Sequence, residues 1–159
     1  MSNLSTKEWA YIAGFLDGDG SVYAKLKPNE TYKYDFQIAV QITFFQSTKK
    51  RERLETLLSL IERGYLRDRN DGITEYIIGD IDSIRFVLTN TLAHLRFKNQ
   101  QAELMLQILE KKGEVQSAHD FLDLAQLVDN FRELNYSKKR TQTAETVKEK
   151  LEEKQLLTP

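Results

Sequence analysis

Ala10-Tyr11-Ile12-Ala13-Gly14-Phe15-Leu16-Asp17-Gly18-Asp19-Gly20-Ser21 is the segment that gives the rest of the chain its meaning. Ala10, Gly14 and Gly18 recur at four-residue spacing, which on a helix sets three of the smallest side chains in one row along a single face. Glycine inside a helix costs roughly 1 kcal/mol relative to alanine. Two in one row therefore point to another backbone that must come close, and the row is a predicted packing interface. The helix runs into Gly18-Asp19-Gly20, so a carboxylate falls at or just past its C-terminal end, beside carbonyls that already carry partial negative charge. An acid there is unfavourable by roughly 0.3–1 kcal/mol. A divalent cation reverses that sign, because carboxylate and carbonyl oxygens are hard ligands suited to Mg²⁺. The same residues also fit a plain helix end, with glycine in the left-handed position and Asp19 solvated. Spacing alone leaves both readings open.

Working outward, 159 residues predict one domain able to bury its own core, with that core over about 5–113 and a helical extension over about 117–159. Hydrophobic residues make up 40% and charged residues 30%, which argues against global disorder. The absence of cysteine excludes disulfides, thiolate catalysis and cysteine-ligated zinc. His94 and His119 cannot close a zinc site without carboxylates. No apolar run has the length of a membrane span and no signal-peptide pattern is seen, so an intracellular or intra-organellar soluble protein is expected. The net charge of -1 does not suggest a nucleic-acid partner by itself. From Ser21 to Arg53, however, seven cations face three anions, a local net of +4. The compensating acids, such as Glu103, Glu110, Asp120 and Asp129, come later in the chain, so charge can be segregated.

The opening helix carries its own start signal, a capping box with Ser5 as N-cap and Glu8 reaching back, and Trp9, Ile12, Phe15 and Leu16 supply its apolar face. From Ser21 the period falls to two. Val22, Ala24 and Leu26 alternate with Tyr23, Lys25 and Lys27, and Lys27-Pro28-Asn29-Glu30-Thr31 is turn chemistry. A second strand is predicted from about Tyr34 to Phe45, with Phe36, Ile38, Val40, Ile42 and Phe44 on one face. Its other face, Asp35, Gln37, Ala39, Gln41 and Thr43, combines with Lys25 and Lys27 into a hairpin surface of glutamine, lysine and threonine. Such a ribbon fits the DNA major groove, where Gln pairs with adenine and Lys with guanine. An ordinary solvated sheet face is the competing reading. A helix over about Thr48 to Arg63 places Leu54, Leu57, Leu58 and Ile61 inward. Lys49, Lys50, Arg51 and Arg53 crowd its N-terminal turns, where cations are electrostatically misplaced unless an external anion is present. Asn70-Asp71-Gly72 joins a second hairpin in which Arg67 and Arg69 point the same way, and Glu75 and Ile77 share a face on the return strand. Helices follow from Asp80 to about Leu88 and from Lys98 to Lys112, the latter with Ala102, Met105, Leu106 and Leu109 inward and Gly113 as its stop. The order is αββαββα. From Ser117 the pattern is helical, with Asn135 ending one helix and Thr143 to Leu157 forming the last. Between them, Ser137 to Thr141 contains Lys138 and Lys139 and suits either phosphates or plain solvation.

The segment Tyr11 to Ser21 resembles the motif of the LAGLIDADG homing endonucleases. Lys27-Pro28-Asn29, Gly64-Tyr65-Leu66-Arg67-Asp68-Arg69 and Leu95-Arg96-Phe97-Lys98 followed by Gln101-Ala102 are similar to the single-motif homodimeric branch of algal chloroplast introns. The similarity runs from about Lys7 into the C-terminal helices. It implies an α+β fold, αββαββα, with a saddle-shaped antiparallel sheet on DNA and additional C-terminal helices. It also implies a homodimer packed through Ala10, Gly14 and Gly18, and a site-specific double-strand endonuclease that hydrolyses a long, near-palindromic DNA target and leaves short 3′ overhangs. Asp19 and the carbonyl of Gly18 are the implied ligands of Mg²⁺, with Mn²⁺ able to substitute. Gln46, Lys50 and Lys98 are the implied catalytic companions of Asp19. Lys50 stands where relatives often carry arginine and lacks the bidentate fork. Glu75 replaces a shorter acid, and Phe45 is a bulky apolar residue at a site expected near DNA. The DNA-contacting set so implied is Tyr23, Lys25, Lys27, Asn29, Thr31, Tyr32, Gln37, Gln41, Thr43, Arg67, Arg69, Glu75, Ile77, Lys138 and Lys139. An organellar, intron-encoded origin, in chloroplast or mitochondrion, follows from the same resemblance.

Two other classes compete. An intron maturase, an RNA-binding splicing factor of the same fold, would not need Asp19, Gln46 and Lys98 together. A plain DNA-binding repressor would have no use for a metal-ready carboxylate.

Overall fold

The computed structural model describes residues 3–135 and 142–157. Their elements are α1 (Thr6–Asp19), β1 (Gly20–Pro28), β2 (Phe36–Ser47), α2 (Arg51–Ile61), β3 (Tyr65–Asp68), β4 (Ile73–Ile78), α3 (Ile81–Thr91), α4 (Asn99–Lys112), α5 (Ala118–Asp129), α6 (Phe131–Leu134) and α7 (Ala144–Glu153). The four strands form one sheet in the order β1-β2-β4-β3, with β4 antiparallel to both β2 and β3. The α+β class and the αββαββα order are as the sequence predicts. The described residues divide into two compact units, one made of the chain up to Val22 with Gln41–Glu103 and the other of Tyr23–Val40 with the chain from Leu104 onward.

The first unit is built around α1. Its capping box forms as predicted, with Glu8 N donating to Ser5 Oγ at 3.2 Å and Ser5 N donating to the Glu8 carboxylate at 3.1 Å. Trp9, Ile12, Ala13 and Leu16 are buried, and α1 packs on α3, where the Trp9 and Phe86 rings meet edge to face at 5.4 Å. Phe44 of β2 stacks on Tyr76 of β4 at 5.5 Å and takes the edge of Phe15 at 5.8 Å, so an aromatic column joins helix and sheet. Tyr76 is fully buried. Its hydroxyl donates to the Arg63 carbonyl, and burial pushes its pKa up, so it remains a donor. Leu54, Leu57 and Ile61 are the buried stripe of α2.

In the second unit α5 packs on α7, and Phe121, Leu124, Val128, Phe131, Val147 and Leu151 are buried. The Tyr34 and Phe121 rings meet at 5.3 Å. Asp35 adopts φ 66°, a left-handed conformation, and its nearly buried carboxylate pairs with Lys154 Nζ at 2.6 Å.

Several predicted boundaries shift for physical reasons. The left-handed Asp35 cannot sit in extended backbone, so β2 begins at Phe36 and not at Tyr34, and it runs on to Ser47. The helix expected from Thr48 begins as a three-residue 3-10 turn, Thr48–Lys50, and ends when Glu62 turns left-handed at φ 60°. α3 runs past Leu88 to Thr91. In α4, Leu106 is half-buried while Leu104 and Ile108 join the core. α7 stops at Glu153, short of Leu157. Gly20 is extended, not left-handed, at φ -123°. Glycine is required there for space, since a Cβ would lie 2.5 Å from Leu16 Cδ1 and 2.8 Å from the Leu16 carbonyl oxygen.

Candidate active site

The C-terminal end of α1 gathers the groups that carry chemistry, all of them within the first unit. Four carbonyls at such an end lack intrahelical partners, and the last turn of α1 contains no basic residue of its own. Lys98 supplies the missing cation from elsewhere in the chain, its Nζ donating to the Asp17 carbonyl oxygen at 2.7 Å. What places Lys98 there is the side chain of Asp17. Its buried carboxylate accepts from the backbone N–H of Arg96 at 2.7 Å, Lys98 at 3.0 Å and Phe97 at 3.3 Å. Those amides precede α4 directly, so Asp17 anchors the segment that leads into α4.

Asp19, the last residue of α1, is exposed. Its Oδ2 accepts from Gln46 Nε2 at 2.8 Å, and Gln46 Oε1 accepts from an Arg53 guanidinium nitrogen at 3.1 Å. Gln46 lies opposite Thr74 in the β2–β4 register, on the face of the sheet that also carries Phe44 and Tyr76. Of the four predicted catalytic residues, the structure brings Asp19 and Gln46 into direct contact and puts Lys98 two residues away on the α1 backbone. Lys50 is exposed and has no hydrogen-bond or ion-pair partner among the described residues. Arg53 was visible in the sequence only as one of four crowded cations, and its contact with Gln46 was not foreseen.

The donor set suits a hard cation. Asp19 offers a carboxylate with only one oxygen engaged, next to helix-end carbonyls, and no sulfur or imidazole intrudes. It is also incomplete, because among the described residues no cluster of three or more acidic, histidine or cysteine side chains could hold a metal ion.

The row of small residues lies beside it. Ala10, Gly14 and Gly18 are all exposed, and a Cβ on either glycine would meet nothing within 4 Å. Nothing among the described residues requires glycine at those two positions. Tyr11, 60% exposed, borders the row, and Phe97, in the Asp17-bound segment, is 78% exposed.

In the first unit's part of the sheet, Thr43, Ile77 and Tyr65 line up across three strands, as do Phe45, Glu75 and Arg67. Arg67 extends outward and is held by the nearly buried Glu75 carboxylate at 3.0 Å. Arg69 pairs with Asp71 at 2.5 Å, in the turn. Thr43, Glu75 and Ile77 are buried in this chain, Thr43 accepting from Gln41 Nε2 at 2.5 Å. Tyr65, exposed on the face of Arg67, is absent from the predicted contact set although its two-residue spacing from Arg67 signals it. α2 is tied to this hairpin by Arg51, which bonds Asp68 at 3.1 Å. The Thr74 hydroxyl, with the Arg51 guanidinium, holds the Asp68 carboxyl below the usual carboxylate range.

In the second unit, the exposed Lys25 and Lys27 alternate along β1 with the buried Ala24 and Leu26, with Tyr23 and Gln37 half-buried. Asn29 is half-buried at the turn, where its Oδ1 accepts from Thr31 N at 3.0 Å and Thr31 Oγ1 at 2.6 Å, and Thr31 and Tyr32 are exposed. Lys138 and Lys139 lie outside the described residues.

Comparison with known proteins places this arrangement. The chain is 38% identical over 150 residues to the DNA endonuclease I-CreI of Chlamydomonas reinhardtii, covering 93% of this chain and 91% of the relative. It is 34% identical over 142 residues to the DNA endonuclease I-CvuI of Chlorella vulgaris, covering 89% of this chain and 88% of that one. A crystal structure of the homing endonuclease I-CvuI with the I-CreI target and 2 mM Mg, in which the DNA is not cleaved, matches at TM-score 0.91 and 33% identity over 96% of this chain and 97% of that chain. Since residues 12–102 also match the LAGLIDADG endonuclease family, and the motif helix ends on a carboxylate held by Gln46, the protein belongs to that family.

Proposed function

We propose that this protein is a site-specific double-strand DNA endonuclease that works as a homodimer with a divalent metal and hydrolyses a long, near-palindromic target. The observation that carries the reading is the exposed small-residue row of α1 ending on Asp19, a surface for which the single chain has no use. Two copies packed along that row bring two Asp19 carboxylates together, and a two-fold dimer reads a two-fold DNA site. Asp19 and the Gly18 carbonyl would hold the metal, which when bound polarises a phosphodiester and lowers the pKa of a water. Gln46 orients the Asp19 carboxylate. Lys98 neutralises the carbonyl end of α1 and keeps a cation near the site. Lys50, exposed and without a side-chain partner among the described residues, is placed to reach a phosphate as a point charge.

For recognition, Arg67 and Arg69 are the first-rank base readers on the second hairpin, each aimed by a carboxylate, and Gln41 adds an amide with a threonine fixing its orientation. Glu75, Thr43 and Ile77 shape that face from below. Tyr23, Lys25, Lys27, Asn29, Thr31, Tyr32 and Gln37 form the contact set of the first hairpin. The crystal structures of I-CvuI contain Mg or Ca with DNA, which supports a divalent metal here. Its kinship with two algal enzymes supports an organellar, intron-encoded origin. No helix among the described residues is long and apolar enough to cross a membrane.

The test is incubation of purified protein with a randomised palindromic DNA library over a Mg²⁺ titration, followed by sequencing of the cut ends. Dyad-symmetric cut sites are expected. Asp19→Asn is expected to abolish cutting while largely retaining DNA binding. Asp19→Asn protein that still cuts, or cut sites without a dyad, would refute the assignment.

A further inference from the structure

Asp19 can only accept hydrogen bonds, and Arg53 can only donate them. Gln46 stands between the two, with Nε2 donating to Asp19 Oδ2 at 2.8 Å and Oε1 accepting from Arg53 at 3.1 Å. A primary amide has a donor end and an acceptor end of nearly identical shape, so its neighbours alone decide which way it faces. Bridging a carboxylate and a guanidinium leaves it one orientation. We infer that Arg53 is a positioning residue, which locks the Gln46 amide with its donor end towards Asp19 and thereby holds the carboxylate in place at the end of α1. The inference rests on Asp19 being the cleavage centre.

The surroundings fit this part. Arg51, two residues earlier, is engaged by both Glu55 and Asp68. Arg53 has no ion pair among the described residues, so its directed contact is the neutral amide oxygen. The backbone between the partners is also ordered. Ser47 caps the 3-10 turn that follows β2, its Oγ accepting from Lys49 N at 3.3 Å, and α2 begins directly after. The seven-residue separation of Gln46 and Arg53 is thus spanned by structured backbone. Without Arg53 the amide keeps only its Asp19 contact, loses the anchor on its oxygen and is free to swing away from the carboxylate.

Three measurements on Arg53→Met, Arg53→Lys, Gln46→Leu and the Arg53→Met/Gln46→Leu double variant test this. They are single-turnover cleavage at saturating protein, target affinity without metal, and the side-chain amide signals of Gln46 in the ¹H–¹⁵N spectrum of the metal-free protein. Loss of one charge-assisted hydrogen bond predicts that Arg53→Met slows saturated cleavage by about tenfold. Affinity should stay within about twofold, since the lost bond does not touch DNA. Arg53→Lys, still a donor, should recover most of the rate, and the double variant should be no slower than Gln46→Leu alone. The Gln46 amide protons should exchange slowly in the wild type and rapidly in Arg53→Met. Unchanged amide signals overturn the inference, as does a loss confined to affinity, which would make Arg53 a phosphate contact, or multiplicative losses in the double variant. A wild type that cuts no DNA would instead refute the nuclease assignment, and the amide signals would still decide the part of Arg53.

Discussion

Asp17→Ala removes the carboxylate that ties the end of α1 to the start of α4, and its cost can be worked from the contacts. Asp17 accepts from Arg96 N at 2.7 Å, Lys98 N at 3.0 Å and Phe97 N at 3.3 Å. The last is long for an N–H···O bond, so two contacts carry most of the energy. A hydrogen bond to a charged acceptor contributes roughly 1.5–3 kcal/mol, and loss of a helix N-cap about 1 kcal/mol. Arg96 and Phe97 are exposed, so water replaces part of what is lost. The expected net cost is about 2–3 kcal/mol, less than the simple sum of two charged bonds. With a urea m-value of about 1–3 kcal/mol/M, the unfolding midpoint falls by roughly 0.7–3 M. Ser5→Ala, at the exposed opposite end of the same helix, should cost only about 0.5–1 kcal/mol. Asp17→Asn keeps one acceptor oxygen and should fall between the two. Urea unfolding of the three variants in metal-free buffer, followed by circular dichroism, gives the order. An Asp17→Ala protein no less stable than Ser5→Ala would refute the argument that Asp17 anchors the segment leading into α4.

The other predictions address the sheet, the turn after α1 and the small-residue row. Gly20→Ala would put a Cβ 2.8 Å from the Leu16 carbonyl oxygen and 2.9 Å from its Cα, atoms that cannot yield, so a loss of about 1–3 kcal/mol is expected in thermal unfolding; an unchanged midpoint contradicts it. Gly14→Ala meets nothing inside the chain and gains helix propensity, so the isolated chain should become about 1 kcal/mol more stable while self-association weakens. Sedimentation equilibrium showing undiminished association would remove the basis for a close helix pair. The folded Asp68 carboxyl titrates below its unfolded value because of Thr74 and Arg51, so its stabilising contribution is complete above about pH 4 and is lost as pH falls through the lowered folded pKa. The stability gap between wild type and Asp68→Asn should therefore hold steady near neutrality and close in stronger acid; a gap that widens on acidification would contradict that sign.

What the sequence shows and what it hides divide by distance along the chain. The α1 capping box, the two-residue alternation of β1 and β2 and the turn at Asn70-Asp71-Gly72 are local patterns, and the structure reproduces them. Asp17 and Arg96 are 79 residues apart and Asp19 and Gln46 are 27 apart, and no periodicity connects such pairs. The motif resemblance singled out Asp19, Gln46 and Lys98 without saying that Asp17 is what delivers Lys98. Arg53 stayed hidden for a subtler reason. Four cations at a helix N-terminus look equivalent in sequence, and only the fold separates Arg51, bound to acids, from Arg53, bound to an amide, and Lys50, bound to nothing among the described residues. Asp35 illustrates the opposite failure, in which a strand pattern continued through a residue whose backbone is left-handed.

The glycines of the motif have two separate physical causes, and the difference bears on how assembly and chemistry are linked. Gly20 is needed inside the chain, because Leu16 occupies the space of its side chain. At Gly14 and Gly18 a Cβ would meet nothing among the described residues, and together the two glycines cost the helix roughly 2 kcal/mol of propensity. The face of α1 that carries these two glycines also leaves Tyr11 largely exposed. On the proposed reading a second copy covers that row. Because Asp19 ends the row, whatever seats on Gly14 and Gly18 also determines what approaches the carboxylate. Among the described residues no cluster of three or more acidic, histidine or cysteine side chains could hold a metal ion, and on the proposed reading the packing that offsets the glycine penalty also brings in the second copy's ligands. Assembly and completion of the metal site are then one equilibrium, so that a substitution strengthening α1 in isolation weakens the enzyme through the very face it stabilises.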